Sequence, residues 1–233
     1  MTKTERIGAV LFDFDGTLAE LSIDFDEMRS RVWAIVEELG VPRSALQSRY
    51  VLELIDEAAG MLDNEDLERT LRQETRQAME EVELDAAENG ATFPWLEEMA
   101  SELAGIGVKS GIVTRNCRKA VTKVLGPSLA LFQALVTRDE TRTVKPDPQH
   151  LFQALGLLPG PDLSPERTMM VGDHPMDVKC AKQAGMYAVG VMTGAGNLET
   201  LSKERADLIL PDASQVPAFV SLLNGGKAPW LDR

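Results

Sequence analysis

The segment Val10-Leu-Phe-Asp-Phe-Asp-Gly-Thr-Leu18 is an apolar run that ends in two carboxylates and a glycine, and it constrains the fold more than any other stretch of the chain. Residues 7–12 are apolar enough for a strand buried on both faces, the pattern of a parallel sheet covered by helices. Asp13 then falls at the carboxyl end of that strand, where open α/β sheets place their ligand crevices. Gly16 lets the chain turn sharply out of the strand.

Apolar runs near 109–114, 134–137, 168–172, 187–192 and 208–210 repeat the strand signal, and helical patterns recur near 95–105, 116–126, 148–156, 175–185 and 214–223. The expected fold class is therefore α/β, a doubly wound, Rossmann-like parallel sheet. The alternation breaks off between 20 and 91. There Phe25, Met28, Val32, Ile35, Val36 and Leu39 recur at helical spacing until Gly40-Val-Pro42. Leu46, Tyr50, Leu54, Ala58 and Met61 form a second stripe. Leu67, Leu71, Thr75, Ala78, Val82 and Ala86 form a third, which ends at Glu88-Asn-Gly-Ala-Thr92. The expectation is a core of residues 1–19 and 92–233 with an inserted, smaller helical domain at 20–91, hinged near 19–21 and 90–93. Most stripe residues are read as packing. Phe25, Met28 and Arg29, which open the first inserted helix close to the Asp13 loop, are the candidates to face a substrate.

Asp13 and Asp15 repel one another unless positive charge shares their site, and a divalent cation with oxygen ligands, Mg²⁺ by hypothesis, is the simplest answer. Beside such a cation one carboxylate can attack phosphorus while the other handles protons. The plainer alternative is an acidic strand-to-turn junction. Three further segments weigh against it. After Gly111-Ile-Val113 come Thr114, Arg115 and Asn116, polar groups at a second strand end that can hold a phosphate oxygen. Val144-Lys-Pro-Asp-Pro148 sets Lys145 in a stiff loop, with Asp147 suited to cap the next helix and Pro148 to its first position. Thr168-Met-Met-Val-Gly-Asp173 is another apolar run ending in Gly-Asp, with Asp177 following at a helix start. Taken singly, Lys145 reads as a surface lysine, Thr114 as a strand threonine and Asp177 as a first-turn acid favoured by the helix dipole.

Together, in this order, the segments resemble the four motifs of the haloacid dehalogenase superfamily of phosphohydrolases, in the branch of the phosphoglycolate phosphatases. D-x-D-G-T is matched by Asp13 to Thr17, the small hydroxyl residue by Thr114, the lysine by Lys145, and G-D-x-x-x-D by Gly172 to Asp177. The resemblance implies that Asp13 is the nucleophile and Asp15 the general acid/base. It implies that Thr114 and Lys145 hold the transferring phosphoryl group, with Gly16, Thr17, Arg115 and Asn116 as further phosphate-side candidates. Mg²⁺ would bind Asp173, the Asp13 side chain and the Asp15 carbonyl, while Asp177 supports either the metal or Lys145. A small phosphorylated metabolite is the implied substrate, phosphoglycolate leading. A sugar-phosphate mutase is the enzymatic alternative, and a silent phosphate-binding protein the non-enzymatic one.

With 24 basic against 37 acidic residues the chain carries a net charge of −13, which opposes nucleic acid and anionic membranes as partners. Entry of a phosphate ester then calls for a local positive region, with Arg115, Lys145 and the cation as candidates. No apolar stretch approaches the ~20 residues of a membrane span, and the first residues run straight into the first strand, so a cytoplasmic location is expected. Cys117 and Cys180 lack metal-type spacing and read as free thiols. Of the scattered His150 and His174, the latter lies beside Asp173, where it either lines the site or is a plain loop residue, the second being the simpler reading. Trp230 in the tail can carry an interface, a loosely docked terminus being the plainer reading, and the choice between monomer and homodimer stays open.

Overall fold

The computed structural model describes residues 6–160 and 163–226, so Trp230 lies outside the described residues. The first apolar run becomes β1 (Ala9–Phe12), all of it buried. The chain leaves through β2 (Ala19–Glu20), forms three helices, α1 (Phe25–Glu38), α2 (Val51–Ala59) and α3 (Glu65–Asn89), and returns through β3 (Ala91–Thr92). From there strands and helices alternate as α4 (Leu96–Gly105), β4 (Lys109–Val113), α5 (Arg118–Leu125), β5 (Ala134–Val136) and α6 (Gln149–Leu157). They continue as β6 (Thr168–Gly172), α7 (Pro175–Ala184), β7 (Tyr187–Val191), α8 (Leu198–Lys203), β8 (Leu208–Leu210) and α9 (Val216–Leu223).

The six-stranded sheet has the order β5-β4-β1-β6-β7-β8 with every neighbouring pair parallel, the doubly wound α/β arrangement that the alternation predicts. β1 is central because it is buried on both faces. Ala9 and Leu11 point into a cluster with Leu151 and Ala154 of α6 and Val178 and Ala181 of α7. On the alternate residues, Phe12 meets Phe132 edge to face at 6.2 Å. Chain order reverses across β1, with β4 on one side and β6 on the other, so the carboxyl ends of these three strands form the switch-point crevice.

By its internal contacts the chain divides into two units, Ser22–Asn89 and the remainder on either side of it. In the helical unit, Met28, Val32 and Val36 of α1 pack with Leu54, Ile55 and Ala58 of α2 and Leu71, Met79 and Val82 of α3. The second stripe is shorter than its spacing predicts, since the helix begins only at Val51. Residues 46–50 are drawn off the helical path by Glu57, whose carboxylate accepts the Gln47 N–H at 2.9 Å and the Ser48 N–H at 3.1 Å. Exposed ion pairs such as Arg31 with Glu27 and Arg72 with Asp56 decorate this unit and contribute little to its stability.

Two elements carry too few residues for a periodic signal. One is α8, started by an Asn197–Thr200 capping box. The other is the antiparallel ribbon β2–β3, in which Ala19 pairs with Thr92 and Glu20 with Ala91, joining the outgoing chain to the returning one. No helix among the described residues is long and apolar enough to cross a membrane.

Beyond α9, Asn224 acts as a substitute strand partner for the chain entering β1. Its Oδ1 accepts the Ile7 N–H at 2.7 Å and its Nδ2 donates to the Ile7 carbonyl at 2.9 Å. Asn224→Ala is expected to lower stability by about 1–3 kcal/mol, since both Ile7 groups lose their partner. Urea unfolding checks it, and a midpoint unchanged from the native chain would contradict it.

Candidate active site

Asp13 follows β1 directly and is fixed there by its N–H, which donates to the Val171 carbonyl of β6 at 2.8 Å. Its Oδ1 accepts the Phe14 N–H at 2.7 Å and lies 2.8 Å from Lys145 Nζ. Lys145 is only 1% exposed, and the same Nζ lies 2.7 Å from Asp177 Oδ1. The lysine that the sequence leaves free to be a surface residue is thus clamped between two carboxylates.

Side chains hold both sides of the Lys145 backbone. The Lys145 N–H donates to Nδ1 of His150 at 3.1 Å, and Arg115 Nη1 donates to the Lys145 carbonyl at 2.9 Å. Arg115 also reaches the Met176 sulfur, so it links the strand-end loop, the lysine loop and α7. His150 is fully buried, and nothing in the sequence marks it beyond its being one of two scattered histidines. The N-cap of α6 is Pro148, with no side chain capping it, so Asp147 and Pro148 each sit one position earlier than the sequence suggests; Asp147 Oδ1 still accepts the Gln149 N–H at 2.8 Å.

On the other side of β1, Asp173 follows β6 and is 4% exposed. Its Oδ1 accepts the Thr17 hydroxyl at 3.2 Å and its Oδ2 the Ala195 N–H at 2.7 Å. The Thr17 N–H donates to the Phe14 carbonyl, so the hydroxyl of Thr17 is engaged with Asp173 and its N–H with the loop's own backbone. Gly16 has φ +75° and would place a Cβ 2.7 Å from the Asp173 carboxyl carbon, so any side chain there displaces Asp173. His174 is the N-cap of α7, and Asp177 completes the capping box by accepting the His174 N–H through Oδ2 at 3.0 Å. Its other oxygen is the one on Lys145.

Thr114 is 1% exposed at the end of β4. Its Oγ1 accepts the Asn116 N–H at 3.2 Å, and the buried Asn116 Nδ2 has no hydrogen-bond partner, a donor suited to an anion. Cys117 is the N-cap of α5 and Cys180 lies inside α7, both buried and neither in a disulfide among the described residues. Asp15 accepts the Leu21 N–H through Oδ1 at 3.0 Å. Phe25, Met28 and Arg29 belong to the helical unit. Met28 is packed in its apolar cluster, which removes it as a ligand-facing residue, while Phe25 is 59% exposed and Arg29 donates to the Arg49 carbonyl.

Burial, reinforced by the neighbouring carboxylates, raises Asp13 to about 6, Asp15 to about 7 and Asp173 to about 6. Asp177 is raised by burial as well, with Lys145 working against the shift. Burial also penalises the Lys145 ammonium, but Asp13 and Asp177 outweigh that and hold it charged. His150 is pushed down to about 3, first by burial and then by the Lys145 charge, so it is neutral with Nδ1 as acceptor. Asp13, Asp173 and Asp177 each offer a carboxylate oxygen within 4.8 Å of the others, and Lys145 cannot neutralise them all. Such a set fits a hard divalent cation.

Residues 10–191 match the family model of the haloacid dehalogenase-like hydrolases. A pyrophosphatase PpaX of Bacillus mycoides is 35% identical over 130 residues, covering 55% of this chain and 59% of that protein. A phosphoglycolate phosphatase of Pseudomonas putida is 24% identical over 212 residues, covering 87% of this chain and 76% of that one. The chain thus spans little more than half the length of the first of these and about three quarters of the second. Among solved structures, a β-phosphoglucomutase of Clostridium difficile superposes with a TM-score of 0.64 at 19% identity, covering 97% of this chain and 100% of that one, a likeness of fold.

A histidine held at about 3 when folded, against ~6.5 unfolded, contributes stability that is complete above pH ~6.5 and is lost as the pH falls. On lowering the pH from about 7 to about 5 the native chain is expected to lose about 2 kcal/mol relative to His150→Gln, which has no such proton to take up. Urea unfolding of both chains across this range measures it. Parallel pH profiles for the two would show that His150 is not buried and neutral.

Proposed function

The chain belongs to the haloacid dehalogenase-like hydrolase family, and on that basis we propose that it is a Mg²⁺-dependent phosphatase of a small phosphorylated metabolite, working through an aspartyl-phosphate on Asp13. The observation that carries this reading is the orientation of Asp13, whose Oδ1 is held by the Phe14 N–H and by Lys145. These two contacts fix the plane of the carboxylate that attacks phosphorus.

In the first half-reaction an Asp13 oxygen forms a bond to phosphorus as the bond to the leaving oxygen breaks, and Asp15 gives that oxygen its proton. In the second, Asp15 takes a proton from water while the water oxygen attacks phosphorus, releasing phosphate and restoring Asp13. A value near 7 makes both forms of Asp15 accessible at neutral pH, which supports the double role. Lys145, Thr114 and the Asn116 side-chain amide would hold the phosphoryl oxygens. Arg115 acts at one remove from them, through Lys145. Asp13, Asp173 and the Asp15 carbonyl would hold Mg²⁺, and Asp177, already engaged with Lys145, supports the lysine. A bound divalent cation supplies charge neutralisation for nucleophile and phosphate.

The helical unit fits the part of a cap that excludes water and selects the leaving group, with exposed Phe25 as its substrate-facing candidate. The names of the relatives make phosphoglycolate the first substrate to try and pyrophosphate the second.

Phosphate release from phosphoglycolate, pyrophosphate, sugar phosphates and nucleotides, with Mg²⁺ or EDTA, tests the reading. Release is expected with Mg²⁺ only. Asp13→Asn should reduce it at least about a thousandfold and Asp15→Asn by about 10²–10⁴-fold. Full turnover in Asp13→Asn would sink the covalent route, and a phosphate moved within a sugar would replace hydrolysis with mutase chemistry.

A further inference from the structure

The loop after β7, Thr193-Gly-Ala-Gly-Asn197, belongs to none of the four motif segments, yet it closes around Asp173. The Ala195 N–H donates to Asp173 Oδ2 at 2.7 Å. The Thr193 hydroxyl donates to the Gly16 carbonyl at 2.5 Å, which ties this loop to the turn that follows Asp13 and Asp15. A Cβ on Gly194 would stand 2.1 Å from Asp173 Oδ2 and 2.9 Å from Gly16 Cα. One on Gly196 would stand 2.1 Å from the Asp173 carbonyl oxygen. Both glycines are therefore required by how closely the loop approaches Asp173.

Such closeness is unusual for a surface turn. Ala195 and Gly194 are solvent-exposed, so their backbone could be satisfied by water, and nothing in the packing of the sheet calls for Thr193 to reach Gly16. What the contacts accomplish is to fix a nearly buried carboxylate from two sides, Thr17 on Oδ1 and Ala195 on Oδ2, while each oxygen keeps a lone pair for another partner. Donors placed behind a ligating carboxylate in this way set its plane before the cation arrives.

We infer that Thr193–Gly196 is a positioning loop that presets Asp173 and the Gly16 turn for a divalent cation, with the Thr193 hydroxyl and the Ala195 N–H as its working contacts. This rests on the reading of Asp173 as a cation-binding residue. It adds a segment to the site in which none of the residues touches substrate or cation.

Isothermal titration of Mg²⁺ alone into the full chain, without any phosphate ester, tests it. Thr193→Val should weaken Mg²⁺ binding by roughly 10–100-fold, with a thermal midpoint in the absence of Mg²⁺ close to the native one. Thr193→Ser, which keeps the hydroxyl, should bind nearly as the native chain does. Gly194→Ala, whose Cβ would press on Asp173 Oδ2 and the Gly16 backbone, should weaken binding at least as much, and its thermal midpoint without Mg²⁺ is read beside it so that it gives a second reading should Thr193→Val misfold. Native affinity in both Thr193→Val and Gly194→Ala would overturn the inference, as would weak binding in Thr193→Ser equal to that of the valine variant. A native chain that binds no Mg²⁺ would overturn it too. The expected loss of affinity supports the loop's role even in a chain that hydrolyses none of the esters, so its failure and that of the phosphatase reading are separable.

Discussion

The ammonium of Lys145, buried between Asp13 and Asp177, is the interaction on which the rest of the site depends. Removing a lysine from water costs several kcal/mol, and a single facing carboxylate rarely recovers that, so the pairing needs two acids and good geometry. The geometry comes from backbone. β1 and β6 are adjacent in the sheet, which brings the residue after one strand and the helix start after the other to the same ammonium. His150 and Arg115 then hold the Lys145 peptide from either side. Loss of Lys145 would leave two buried carboxylates without their counter-charge, whereas loss of either acid leaves the ammonium with one.

Glycine does the complementary work. Gly172 at the end of β6 would put a Cβ 2.3 Å from the Asp177 carboxyl carbon, so its bare Cα is what lets Asp177 fold back across the strand end toward Lys145. Gly16 and Gly194 leave the corresponding space for Asp173. Asp173 and Asp177 are thus each set by a missing side chain as well as by a hydrogen bond, while Asp13 is set by hydrogen bonds alone.

Much of this was legible in the chain itself. The apolar runs that end in Asp13, Thr114 and Asp173 are strands because a parallel sheet buried on both faces demands such runs, and their carboxyl ends converge for topological reasons. What stayed hidden was contact between distant segments. Nothing local marks His150 as the acceptor for the Lys145 N–H, or directs Arg115 to a carbonyl. Met28 illustrates the opposite difficulty. At helical spacing a residue that packs and one that faces a ligand look alike, and only the positions of α2 and α3 identify it as core. Residues 46–50 have the spacing of a helix, but Glu57, a residue of the following helix, takes the N–H groups of Gln47 and Ser48.

The electrostatics bear on how an anion would be captured by a chain of net charge −13. Lys145, an obvious attractor in the sequence, is largely neutralised by the two acids that flank it, and the guanidinium of Arg115 is turned onto a carbonyl. Asp173, and Asp15 in its ionised form, add negative charge to the same crevice. A phosphate ester approaching it meets a repulsive field unless something other than these two side chains reverses the sign. On the proposed reading a divalent cation held by the carboxylates does so, and the requirement for it begins at substrate binding, before any bond to phosphorus changes. The excess of acid over base in the crevice, costly for the empty protein, is then what ties capture of substrate to the presence of the ion.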